Sequence, residues 1–190
     1  GVLLVTGEKD GIHPLPKWLM AILNGVINLL RSVPFLILMI IALPLSKVIV
    51  GTKVGTAATI PPMVIAAFPL VARMVESSLR EVDQGVVEAA QSMGASAFQI
   101  VRKVLLPEAK PSLISGAAVT SVTVLGYTSF AYNVGAGGLI AGIYTFYSRN
   151  TGNYAAQGVF WLLVFLVVIL VFLLQEAGLK IAKKSDKRRR

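Results

Sequence analysis

The chain has 190 residues, of which 55% are hydrophobic and only 14% are charged, and its formal net charge is +9. Soluble domains usually carry about 25% charged residues, so the composition excludes a soluble globule and, by the same measure, a disordered chain. It predicts an all-α integral membrane protein. The chain has no cysteine and one histidine, which excludes disulfides, thiolate metal sites and histidine clusters.

In chain order, apolar segments predict four membrane spans, since a spanning helix needs about 20 mostly apolar residues. The spans lie within 18–50 and at roughly 54–72, 112–132 and 154–174. We interpret a short apolar run at 2–5 as the tail of an earlier span that this sequence largely lacks. Residues 1–190 then form a single transmembrane domain, which contains a polar loop at 73–111 and a basic tail at 180–190.

The basic residues predict the orientation of the spans. Of the 18 lysines and arginines, 15 fall in the N-terminal segment, the polar loop and the tail. By the positive-inside rule these three regions are cytoplasmic, the C-terminus included. We interpret the tail as a stop-transfer anchor that attracts anionic membrane lipid. Because the basic charge maps to membrane-flanking segments, it does not indicate a nucleic-acid partner.

The predicted spans contain no acidic residue, which limits how any transport by this chain could be driven. None of the nine acidic residues falls inside a predicted span, which argues against coupling to protons. Coupling to sodium ions held by carbonyl and hydroxyl oxygens is not excluded by this observation. No P-loop motif occurs, so any ATP and Mg would be bound by a partner chain. We predict no catalytic residue, metal site or cofactor in this chain.

Two short helices are predicted inside the polar loop. Asp83 is placed to cap a helix over roughly 84–93, and Gly94 to end it in the left-handed conformation. Ser96 and Gln99 have the spacing of a capping box for a second helix. We expect Pro107 to stop that helix. The predicted apolar faces are Val86, Ala90 and Met93 on the first helix, and Ile100, Val101, Val104 and Leu105 on the second.

This helix pair can be interpreted as lying on the membrane surface or as docking a soluble partner. Glu88-Ala89-Ala90, three residues, Gly94, nine residues and Val104-Leu105-Leu106-Pro107 resemble the EAA motif of ABC importer permeases. Val104 stands where that family usually has isoleucine. The motif has a defined spacing and lies in a predicted cytoplasmic loop, so it favours docking.

The resemblance implies the fold of a type I ABC importer permease, with this loop seated on an ATPase subunit. Glu88 would be a polar contact or cap, Gly94 the bend, and Ala89 and Ala90 the closely packed surface. The residues expected to couple to the ATPase are Glu88, Ala89, Ala90, Gly94, Ile100, Val101, Val104, Leu106 and Pro107.

A wider resemblance covers nearly the whole chain. The segments 31–35, 48–52, 72–76, 99–109 and 134–139 are similar to the membrane subunit of bacterial methionine importers. That family implies a homodimer, two ATPase subunits, a substrate-binding lipoprotein, five spans and import of L-methionine, often with the D-isomer. The methionine assignment depends on the resemblance alone, and a permease for another small amino acid is the alternative.

Three further sets of residues are candidates for the translocation path or its gates. Small and hydroxyl side chains share one face of the third span and either pack helices or line a path: Ser112, Gly116, Thr120, Thr123 and Tyr127. Pro61, Pro62 and Pro69 predict a kink in the second span, either static or moving as a gate. Gly135, Gly137 and Gly138 form either a gate or docking loop at the outer side, or a plain re-entrant turn.

Polar residues also mark one stripe of the helix before the first certain span. Lys17, Asn24, Asn28 and Arg31 recur at helical spacing. We expect Arg31 to pair with an unidentified acidic group, within the chain or across a dimer. Two other classes of protein compete with the permease: an ion-coupled secondary transporter, and a membrane-anchored assembly or signalling protein whose loop only recruits a partner.

Overall fold

A computed structural model describes residues 1–9, 11–152 and 154–186, with the backbone alone for 154–156. The described residues are helical and contain no strand, which confirms the predicted all-α class. The ten α-helices in these ranges are α1 (Val2–Thr6), α2 (Lys17–Ser32), α3 (Phe35–Val50), α4 (Thr56–Arg80), α5 (Gln84–Ser92), α6 (Ala97–Ile100), α7 (Leu106–Glu108), α8 (Lys110–Ala131), α9 (Leu139–Arg149) and α10 (Tyr154–Ser185). A π-helix (Val101–Leu105) separates α6 from α7, and a 3-10 turn (Tyr132–Val134) follows α8.

Three of these helices are long and apolar enough to cross a membrane. They cover Thr56–Arg80, Lys110–Val134 and Gln157–Ser185, and α2 with α3 makes a fourth span if the pair is counted as one broken span. The sequence placed the first span within 18–50 and did not locate a break there. In the structure α2 ends at Ser32 and Pro34 caps α3, because the residue before a proline is pushed out of the helical region.

The helix α4 is longer than predicted. It continues past residue 72 to Arg80, so the loop that follows begins near Glu81 rather than at 73. The prediction that no acidic residue lies within a span is therefore wrong, since Glu76 is in α4 and is buried. The helix continues through these charged residues because they pair with one another, as described below.

The chain divides into two compact units. The first consists of Gly1–Ser32, Phe68–Thr120 and Ala177–Arg190. Its largest buried cluster is made of Leu79, Val82, Val87, Ala90, Ile100, Leu105 and Ala109. A second cluster joins Leu4, Ile27 and Ala72. The polar loop therefore has a core of its own and does not lie loosely at a surface.

The second unit consists of Val33–Ala67 and Ser121–Glu176. Phe35 stacks on Tyr127, with ring centroids 4.4 Å apart and planes within 7° of parallel. The Gly55 N–H donates to the Val134 carbonyl at 2.7 Å, which ties the turn before α4 to the turn after α8. The sequence did not predict α9.

The last helix is exposed over its most apolar part. None of the apolar window within Gln157–Ser185 is buried inside the chain, as expected of a span that faces lipid. The helix continues to Ser185, so the described part of the predicted basic tail is helical. Residues 187–190 of that tail lie outside the described residues.

Candidate docking site

The first half of the loop is fixed by local hydrogen bonds. The Asp83 carboxylate accepts from the Gly85 N–H at 2.8 Å and begins α5, as predicted. Gly94 follows the end of the helix with φ of +77°, and its N–H donates to the Gln91 carbonyl at 2.9 Å. No atom lies within 4 Å of the position that a Gly94 Cβ would occupy. Glycine is therefore required here by backbone conformation and not by crowding.

The second half of the loop begins with the predicted capping box. The Ser96 N–H donates to Gln99 Oε1 at 2.8 Å, and the Gln99 N–H donates to Ser96 Oγ at 3.4 Å. The prediction that Pro107 stops this helix is wrong. The helical backbone continues to Glu108, and Pro107 lies in the first turn of α7, where its missing N–H costs little.

One side of the loop packs against the end of α4. Val87 and Ala90 of α5 meet Ile100 and Leu105 in the buried cluster that also holds Leu79. Ile100 and Leu105 are buried and Val101 and Val104 are half-buried, which confirms the apolar stripe predicted for the second helix. The loop is therefore held to α4 by apolar contact.

The face predicted for α5 is wrong in part. Ala90 is buried, but it is accompanied by Val87, whereas Val86 and Met93 point away from the core. The reason is that Leu79 and Val82 approach α5 on the side of Val87. Sequence periodicity alone does not show from which side a partner helix comes.

The opposite side of the loop presents large apolar side chains to solvent. The exposed fraction is 43% for Val86, 80% for Met93, 69% for Phe98 and 37% for Leu106. We call these four residues the loop docking surface. Glu88, Arg102 and Lys103 are also exposed. Large apolar side chains that stay exposed on a loop with its own core, with charged residues on the same loop, are candidates for binding another protein.

The nine predicted coupling residues divide between the two sides. Glu88, Ala89, Gly94, Leu106 and Pro107 are exposed, Ala90 and Ile100 are buried, and Val101 and Val104 are half-buried. Glu88 also lines a cavity of about 390 Å³ with Glu8, Arg80, Gln84 and Gln91. The buried members hold the shape of the loop, and the exposed members are available to a partner.

The sequence analysis missed a polar network centred on Arg73. Its guanidinium donates to Asn24 Oδ1 at 2.9 Å, to Asn28 Oδ1 at 2.8 Å and to Glu76 Oε2 at 2.6 Å. Arg80 donates to Glu76 Oε1 at 3.0 Å and also pairs with Glu8. We call these six residues the Arg73 network. Arg31, which the sequence predicted to pair, is exposed and has no ion pair among the described residues.

The candidate path residues occupy different surroundings. The Ser112 hydroxyl donates to Ser78 Oγ at 3.1 Å, and a Cβ on Gly116 would lie 2.5 Å from Met74 Cγ. Both are in the first unit and pack α8 on α4. In the second unit, Tyr127 stacks on Phe35. Thr120 is half-buried and Thr123 is exposed.

The candidate gate residues lie in α4 and in the turn that follows α8. Pro61, Pro62 and Pro69 are buried within the unbroken helix α4. Gly135 and Gly138 have φ of +72° and +124°, and Gly137 does not have a positive φ. A Cβ on Gly135 would lie 3.1 Å from Val54 Cγ1, within the second unit. The glycine turn therefore needs both the left-handed conformation and close approach.

Among the described residues, no group of three or more histidine, cysteine or acidic side chains is arranged to hold a metal ion. The arrangement is that of helices long enough to span a membrane and a folded loop with an exposed apolar side. Residues 14–177 match the family described as binding-protein-dependent transport system inner membrane component.

The chain belongs to this family. It is 44% identical to the probable D-methionine transport system permease protein MetI of Vibrio cholerae, over 99% of this chain and 81% of the relative. It is 44% identical to the methionine import system permease protein MetP of Bacillus subtilis, over 88% of this chain and 74% of the relative.

Solved structures of the MetNI methionine ABC transporter in inward-facing conformations are also similar. In two crystal forms the TM-score is 0.88 at 40% identity, over 98% of this chain and 84% of the matched chain. These matches confirm the predicted resemblance and the predicted permease fold. As an inner membrane component of a transport system, the chain is a multi-pass, non-catalytic transport subunit and not an enzyme.

Proposed function

We propose that this chain forms the translocation path of an ATP-driven importer of methionine, for the L-isomer and also for the D-isomer. The proposal is supported by relatives named for methionine or D-methionine transport at 44% identity over most of the chain. Binding of the apolar thioether requires mainly apolar contact, so no single residue is expected to identify the substrate.

The loop docking surface is the proposed seat of an ABC ATPase subunit. The observation that carries this assignment is the pairing of a buried face, which fixes the loop to α4, with an exposed apolar face at Val86, Met93 and Phe98. Two copies of this chain would each bind one ATPase subunit. ATP and Mg would be bound by those subunits, and this chain would hold no cofactor.

The proposed orientation places the loop and the C-terminus in the cytoplasm, where 15 of the 18 basic residues then lie. A substrate-binding lipoprotein would deliver methionine at the opposite side, near the glycine turn of 135–138. Membrane lipid would surround α10, whose apolar window is unburied.

The proposed path uses the hydroxyl-bearing part of α8 at Thr120 and Thr123. Ser112 and Gly116 serve packing instead, because they are in contact with α4. The prolines of α4 and the glycines of the 135–138 turn are the proposed positions at which the path changes shape. The prolines lack a backbone N–H, so a bend there breaks fewer helical hydrogen bonds. The glycines lack a β-carbon, so their backbone can change conformation without a steric clash.

Reconstitution into liposomes tests the proposal. The chain is assembled with its ATPase and binding protein, and uptake of labelled L-methionine, D-methionine and alanine is measured. We expect methionine uptake that requires ATP on the side of the loop and is unaffected by proton or sodium ionophores. Uptake without ATP that an ionophore abolishes would establish a secondary transporter, and preference for alanine would establish a different substrate.

A variant of the loop docking surface tests whether transport depends on the loop. Met93→Asp places a charge on the loop docking surface at the most exposed of its four residues, so ATPase co-purification and uptake should fall together. If the ATPase binds the Met93→Asp complex as tightly as the unmodified chain, the loop docking surface is not the seat.

A further inference from the structure

The Arg73 network joins α2 to the C-terminal part of α4. Arg73 lies on α4, whereas both asparagines that accept from its guanidinium lie on α2, 49 and 45 residues earlier in the chain. A single planar guanidinium therefore holds two successive turns of α2. Its remaining bond, from Nη1 to Glu76 Oε2, fixes the plane of the group.

Glu76 is the acidic centre of the network. Its side chain is only 10% exposed and accepts from both Arg73 and Arg80. A carboxylate at such a site is costly unless it is paired and hydrogen-bonded, and both conditions hold. Arg80 then continues the network to Glu8 in the segment before α2. The four charges compensate one another in pairs.

The last turn of α4 also carries the loop. Leu79 is 1% exposed and Val82, just after the helix, is 4% exposed, and both pack against Val87 and Ile100. The end of α4 therefore contacts the loop and, through Arg73, also holds α2. The N-terminal segment gives a second route, since Val2, Val5 and Ile12 pack against the same loop cluster and Leu4 contacts Ile27 of α2.

α2 also contacts the first unit through a small apolar cluster of Leu4, Ile27 and Ala72, against which Met20 and Leu23 pack. One face of the helix points outward, since Trp18, Ile22, Val26 and Leu29 are all exposed. Apolar contact is non-directional, so this small cluster permits sliding of one helix on another. The hydrogen bonds of Arg73 are directional and fix the register.

We propose that Arg73, held by Glu76, is a positioning residue that makes α2 move together with the loop-bearing end of α4. This inference rests on the proposed function, because the loop moves only if an ATPase subunit docks on it. Loss of Arg73 would leave the loop docked and ATP hydrolysis active, while α2 no longer follows. Such a variant hydrolyses ATP without moving substrate efficiently.

The test uses the complete transporter and exploits the absence of cysteine in this chain. Nitroxide labels are attached through Ala21→Cys on α2 and Ser77→Cys on α4, both at exposed positions, with cysteine-free partner subunits. The distance between the labels is measured without nucleotide and with ATP bound to a hydrolysis-deficient ATPase. Methionine uptake per ATP hydrolysed is measured in parallel with the active ATPase.

With the unmodified network, we expect one narrow distribution of label distances, the same without nucleotide and with ATP bound. In Arg73→Gln the distribution should broaden, and uptake per ATP should fall by at least about tenfold, because the amide cannot replace all three hydrogen bonds of the guanidinium and the loss of even one hydrogen bond to a charged group corresponds to about that factor. Arg73→Lys, whose ammonium lacks the planar fork, should give a smaller fall. The matched control is Arg31→Gln, an exposed arginine on α2 outside the network, which should change neither readout.

Two results would overturn the proposal. One is a label distance that changes between nucleotide states in the unmodified network, and the other is an Arg73→Gln complex with unmodified distance and uptake per ATP. If Arg73→Gln does not assemble, the double variant Asn24→Ala with Asn28→Ala removes the two acceptors on α2 and applies the same criteria. If the distance between the labels is the same in both nucleotide states but the transporter takes up no methionine, the result would support the role proposed for the Arg73 network and reject only methionine as the substrate.

Discussion

Arg73 and Glu76 are one helical turn apart on α4, and Nη1 of the arginine lies 2.6 Å from Oε2 of the buried glutamate. The same carboxylate binds Arg80. One acidic group therefore compensates two arginines at the point where α4 meets the loop. Removal of its charge should affect the stability of this region before it affects docking.

Glu76→Gln should destabilise the folded protein. The amide keeps the size of the side chain but leaves Arg73 and Arg80 without a buried counter-charge. We expect a loss of about 2 kcal/mol in the free energy of unfolding, less than for complete removal of a buried partner. Thermal unfolding in detergent measures it. Glu81→Gln, at an exposed position one residue beyond α4, is the control, and equal melting temperatures for the two variants would contradict the prediction.

Gly94→Val should weaken binding of the ATPase while membrane insertion stays normal. A β-branched residue at a φ of +77° strains the bend by about 1–2 kcal/mol and shifts α6 relative to α5. Gly51→Val is the matched control, because Gly51 has a φ of +78° and open space around it but lies in the second unit. Co-purification of the ATPase separates the two variants. Equal recovery of the ATPase with both would show that the bend at Gly94 does not matter for docking.

Met93→Ala with Phe98→Ala should reduce affinity for the ATPase without unfolding the loop. Both side chains are exposed, so their truncation leaves no cavity in the core. At about 1 kcal/mol each, the Kd should rise about thirtyfold. Titration of the ATPase against the chain in nanodiscs measures this. Ser92→Ala, an exposed neighbour on α5, should leave the Kd unchanged, and a thirtyfold rise in that variant as well would argue against a defined patch.

Glu88→Ala should separate coupling from assembly. The apolar residues supply most of the docking energy, so the Kd should change less than about threefold, while uptake falls about tenfold from loss of one charge-assisted contact. Uptake and co-purification are compared in one preparation, with Glu81→Ala as the control. Uptake at the level of the unmodified chain would show that Glu88 is only a solvated helix residue.

Both ends of α5 and the start of α6 could be predicted because their signals are local. Asp83, Gly94, Ser96 and Gln99 each act within three residues along the chain, and the structure confirms all four roles. The spacing of the EAA-like motif also led to the correct family. Residues that act on near neighbours carry their structural meaning in the sequence.

The Arg73 network could not be predicted because its two halves are distant in sequence. Asn24 and Asn28 were recognised as a polar pair on α2, and Arg73, Glu76 and Arg80 recur at spacings of three and four residues. Nothing in the sequence indicates that these two sets of residues are in contact. The acidic residue also misled the placement of the span, because hydropathy counts Glu76 as fully charged and exposed, whereas its partners compensate it.

The choice of faces on α5 failed for a related reason. Val86 and Val87 are adjacent and equally apolar, so periodicity fits either one toward the core. The approach of Leu79 decides in favour of Val87. The exposed position of Val86 then becomes part of the loop docking surface.

The π-helix at Val101–Leu105 makes the length of the loop less critical than its buried residues. Ile100 and Leu105 are both buried in one cluster, although residues five apart in an α-helix point about 140° away from each other. The wider π turn holds one additional residue and brings the two onto one side. Deletion of either Arg102 or Lys103 would restore regular α-helical bonding and leave the two buried residues four positions apart, which again places them on one side of the helix. A permease that is one residue shorter at this point would therefore keep the same packing of the loop on α4.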